Sequence, residues 1–61
     1  MTEEKQQAVE ILNNHGAIDG QKHLTQLIYF AENIESKILL RYWKAVNIQF
    51  NRIINGKRQM E

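Results

Sequence analysis

A chain of 61 residues and 7.2 kDa makes one small domain, and a domain of that size buries only about 60% of its unfolded surface, so it usually needs a staple. It has no cysteine, which removes disulfides and thiolate metal sites; 43% hydrophobic and 25% charged residues suit a folded chain rather than a disordered one. Short apolar stretches interrupted by charges, and an acidic N-terminus, argue against a transmembrane span or a signal peptide, so a cytoplasmic protein stapled by self-association is expected.

The net charge of +1 hides a segregation. Residues 1–35 carry Lys5 and Lys22 against Glu3, Glu4, Glu10, Asp19, Glu32 and Glu35, whereas Lys37, Arg41, Lys44, Arg52, Lys57 and Arg58 face Glu61 alone in the remainder. Such a split suits an acidic partner for the basic half, or pairing of the two halves.

In chain order, Thr2 is the predicted N-cap of a first helix, with Glu3 and Glu4 at the positive end of its dipole. Ala8, Val9, Ile11 and Leu12 give it a narrow apolar face, and Asn13-Asn14-His15-Gly16 ends it after about 10–12 residues, Gly16 taking the left-handed cap position. Asp19-Gly20 is the predicted turn, Asp19 also serving as a cap. With no proline in the chain and no glycine between Gly20 and Gly56, a second helix is predicted from Gln21 to Asn55, about 35 residues and roughly 50 Å long, closed by Gly56 and the cations after it. A bend near Asn33 or Ser36 would instead close the chain on itself as a three-helix bundle.

On a helical wheel, Leu24, Leu27, Ile28, Ala31, Ile34, Ile38, Leu39, Tyr42, Ala45, Val46, Phe50 and Ile53 fall within about 80° of one direction. The short first helix can shelter only the Leu24 end of that stripe, and a long uncovered apolar strip marks an interface. The expected fold is therefore all-α, a single helical-hairpin domain over residues 1–61 with a short first and a long second helix, paired as an antiparallel homodimeric four-helix bundle. Its expected interface is Ile34, Glu35, Ile38, Leu39, Tyr42, Ala45, Val46, Gln49, Phe50 and Ile53. Glu35 and Gln49, the polar interruptions, are symmetric about Tyr42; an antiparallel crossing there sets Glu35 against Gln49 of the partner subunit, and such pairs can fix register.

Candidate sites for chemistry are few. His15 and His23 flank the predicted turn, Ser36 is the sole serine and Asp19 the sole aspartate; two imidazoles without a further ligand make a weak metal site, and Asp19 is explained by capping. The run Gly16-Ala17-Ile18-Asp19-Gly20-Gln21-Lys22 superficially resembles a phosphate loop but has the wrong glycine spacing and no hydroxyl after its lysine. Glu32-x-x-Glu35 lacks the histidine of a di-iron bundle. No catalytic residue, metal or cofactor is assigned. Lys37, Arg41, Lys44 and Arg52 form a basic stripe away from the apolar one, and no acid occurs between Ser36 and Met60.

The expected function is non-enzymatic: a small dimeric interaction or regulatory protein, of a plan that small bacterial and phage regulators use, docking on a larger protein. The alternative is a dimeric nucleic-acid-associated protein using the basic stripe. Glu32 and Glu35, in or beside the apolar arc, speak against a membrane-lying helix.

Overall fold

A computed structural model describes residues 2–59, which among them form two helices, α1 (Glu3–Asn33) and α2 (Lys37–Gln59), and no strand. The two helices make a helical hairpin about 40 Å in its longest dimension. Thr2 caps α1 as its sequence predicts, its hydroxyl accepting from the Lys5 amide at 3.3 Å, and Glu3 and Glu4 occupy the first turn.

α1 is folded in the middle. Gly16 has φ 81° and ψ −179°, a combination essentially confined to glycine, and it reverses the helix into two arms. Ile11 and Gly20 would lie about 13 Å apart along a straight axis, yet a Cβ placed on Gly20 would sit 3.2 Å from Ile11 Cγ2. His15 and His23 likewise stack with ring centroids 4.7 Å apart. The positive φ expected of Gly16 is present, but the chain resumes helix at Ala17, so Asp19-Gly20 is not a turn: both residues are helical. Gly20 is needed there for closeness, since a Cβ would come within 2.7 Å of the Phe50 ring.

The predicted continuous helix from Gln21 to Asn55 is corrected as well. It breaks at Ile34–Ser36, and α2 returns antiparallel along the second arm of α1, the Gln21 amide donating to Asn47 Oδ1 at 2.9 Å. At its far end α2 runs through Gly56 rather than stopping there; Met60 and Glu61 lie outside the described residues.

The core forms where the three rods meet. Ala8 and Ile11 of the first arm, Leu24 of the second, and Val46 and Phe50 of α2 are buried together, with Leu12, Tyr42, Trp43, Ile53 and Ile54 packed around them. Burial of such side chains is worth roughly 1.5–3 kcal/mol each, and Phe50 and Leu24 are among the largest fully buried ones. Tyr42 and Trp43 meet edge to face, centroids 4.9 Å apart. The apolar strip that the sequence assigns to a second copy is thus largely used within the chain. Val46 and Phe50 lie in the core, and Tyr42, Ala45, Gln49 and Ile53 are half-buried. The registered pairing about Tyr42 loses its basis, because it needs an unbroken helix through Glu35 and a free Val46 and Phe50.

Candidate interaction surface

The end of the hairpin is built by the backbone around Glu35. The Glu35 amide donates to the Glu32 carbonyl and the Ser36 amide to the Ala31 carbonyl, each at 3.1 Å, which is the paired hydrogen bonding of a Schellman cap. That cap requires a left-handed residue after the helix, and here it is Glu35, φ 57°, where glycine is usual. Ser36 then opens α2: its Oγ accepts from the Leu39 amide at 3.3 Å and its carbonyl from the Leu40 amide at 2.9 Å. The sequence signal for this break is a serine one residue before Lys37-Ile38-Leu39, an N-cap pattern that the absence of glycine and proline outweighs in a reading by breakers alone.

Around this turn the apolar side chains are uncovered. Phe30 is 56% exposed, Ile34 48% and Ile38 82%, and Leu39 is exposed as well. The reason is a residual mismatch of lengths. The first arm, residues 3–15, is about 20 Å long, against about 26 Å for residues 17–33 and about 35 Å for α2. Tyr42 packs against the core that Ala8 and Ile11 of this arm help to form, and its phenol is pushed above its ordinary range by burial first, and then by the charges of Glu3, Glu4 and Glu10. The first arm thus reaches Tyr42, leaving the Ile34–Leu39 end without a third rod. A groove of about 380 Å³ also opens at this end, lined by Ala31, Glu32, Glu35, Ser36, Lys37 and Leu40.

Of the ten residues expected at a dimer interface, this end holds Ile34, Glu35, Ile38 and Leu39. The basic-stripe residues Lys37, Arg41, Lys44 and Arg52 are all exposed along α2. Phe30 stands outside the expected interface set because on a continuous helix it falls on a flank; the break after Asn33 leaves it exposed in the last turn of α1.

The groups able to do chemistry are placed as follows. The Ser36 hydroxyl caps α2, Asp19 is exposed on the second arm, and the two imidazoles lie nearly parallel, 24° between planes. Among the described residues no three histidine, aspartate or glutamate side chains come together as a metal-binding group, and no helix is long and apolar enough to cross a membrane. A second open groove, about 570 Å³, runs along the second arm beside Ile18, Gln21, Lys22, Thr25 and Gln26. The chain matches no protein-family model, and no curated protein or solved structure is significantly similar to it.

Proposed function

We propose that the chain is a small non-enzymatic interaction protein that self-associates through the turn end of its hairpin, the dimer serving as a regulatory module that docks on a larger protein. The observation that carries this reading is the exposure of Ile38 beside Phe30 and Ile34. A cluster of large apolar side chains around a well-formed turn is the kind of surface that marks a contact. Charge favours a second copy as the occupant. Glu32 and Glu35 precede the bend and Lys37 and Arg41 follow it, so a two-fold arrangement can set the carboxylates of one copy against the cations of the other. The patch is confined to the turn end of the hairpin, so association is expected to depend on concentration.

Sedimentation across micromolar to millimolar concentrations tests this. The mass should rise from 7.2 kDa toward about twice that value, and Ile38→Glu should hold it at the single-chain mass while helicity by circular dichroism is unchanged. Ile38 is outside the core, so a charge there disturbs only the contact. A wild type that stays monomeric throughout, or an Ile38→Glu variant that associates equally well, would contradict the proposal.

A further inference from the structure

We infer that the outer face of α2 is a docking surface for a nucleic-acid duplex, a site that begins at Lys37 and Arg41 beside the apolar end and continues away from it through Lys44 and Arg52. With buried Val46 at zero on the wheel of α2, the exposed Lys37, Arg41, Lys44 and Arg52 fall between about 160° and 240°. Their backbone positions therefore oppose the core, where the rest of the fold cannot cover them. They span about 22 Å of axis, and the sequence of α2 contains six cations and no acid. The acids of the molecule sit on α1 and its turn, Glu61 apart, so charge is divided between the two elements and an approaching polyanion is attracted to α2.

Shape selects among polyanions. The face is the convex side of one preformed helix, about 10–12 Å across with side chains, which matches the width of a duplex major groove, about 12 Å. An acidic peptide would ask for a groove, and the one that touches this face, at Lys37, is also lined by Glu32 and Glu35, whose charge would repel it. A lipid surface would ask for a continuous apolar face, and that of α2 is spent in the core from Tyr42 to Ile54, with Ile38 and Leu39 exposed only at the turn end and Ile48 isolated among the cations. The remaining residues on this side suit base edges. Ile48, 53% exposed, is the one large apolar side chain among the cations and can meet a thymine methyl. Asn51 donates its side-chain amide to the Asn47 backbone carbonyl at 3.0 Å and to Asn47 Oδ1 at 3.4 Å, which holds the side chain in place, while its own carbonyl keeps the capacity to accept.

The test is fluorescence anisotropy with a labelled DNA duplex of about 20 base pairs, titrated at about 50 mM and then higher salt. Four phosphate contacts predict a slope of about −3.6 for log affinity against log salt, from about −0.9 per contact. Lys44→Glu with Arg52→Glu, which leaves the cations of the proposed self-contact in place, should weaken binding at least tenfold with helicity unchanged, whereas Lys22→Glu, on α1, should change it less than twofold. Binding that is absent at low salt, or lost equally in the Lys22 variant, overturns the inference. Equal affinity for polyglutamate or for phosphatidylserine vesicles also overturns it, because the surface would then recognise negative charge of any shape.

Discussion

Glu35 and Gly16 carry the two reversals of this chain, and they do so with opposite chemistry. Gly16 occupies a conformation that glycine adopts without penalty, whereas Glu35 holds a left-handed one that costs an ordinary L-residue roughly 1–2 kcal/mol. The cap bonds are made by the backbone alone, so Glu35→Gly keeps them and should relieve that strain. A gain of about 0.5–1 kcal/mol in urea unfolding is expected, reduced from the full strain by glycine's greater freedom in the unfolded chain; a loss would mean that the glutamate side chain contributes to the turn. Tyr42 adds a pH dependence. Its phenol is pushed up by burial and then by Glu3, Glu4 and Glu10, so below about pH 10 it is protonated whether the chain is folded or unfolded, and its contribution is fully present. As pH rises further the unfolded chain ionises first, and stability falls until the folded phenol ionises too. Denaturation midpoints followed from pH 9 to 11 should show this fall in wild type and less of it in Tyr42→Phe.

At the scale of elements, the joints are decided by closeness as much as by caps. Gly20 looks like a breaker in the sequence, yet it lies inside a helix and is buried. Its missing side chain lets α2 approach, with the Phe50 ring where a Cβ would stand. Gly20→Ala is therefore predicted to destabilise by about 1–3 kcal/mol through overpacking, despite alanine's better helix propensity. Gly56→Ala meets no neighbour and serves as the control, neutral or stabilising in the same thermal melt. Should Gly20→Ala stabilise as well, the close approach of Phe50 would be wrong. The Gln21–Asn47 hydrogen bond ties the same pair of rods on its other side and fixes their register.

For the molecule as a whole, folding α1 back and returning α2 along it gives a short chain a shared core in a sequence that has no cysteine. The core is small: among the described residues, Ala8, Ile11, Leu24, Val46 and Phe50 cluster with half-buried surroundings, as surface-to-volume scaling demands of a chain this short. One end remains apolar and one long face remains cationic. The mass measurement on Ile38→Glu and the duplex titration on the Lys44 and Arg52 pair examine these two surfaces separately, so failure of one leaves the other standing.

The sequence by itself determined that the chain is helical, that Thr2 starts the first helix, that Gly16 interrupts it with a positive φ, and that the stripe of Leu24, Ala31, Val46 and Phe50 is apolar, because capping, glycine freedom and helical period are local properties. The basic residues of α2 were equally legible. What only the tertiary structure decided is where that stripe is spent. A helix without glycine or proline reads as continuous, yet it ends at Asn33 because Ser36 can cap a new helix and Glu35 can bear a left-handed turn, at a cost that burying Val46 and Phe50 against Ala8, Ile11 and Leu24 offsets. Local preference of a fraction of a kcal/mol per residue yields to several kcal/mol of core burial, and that sum is available only once residues distant in sequence have met.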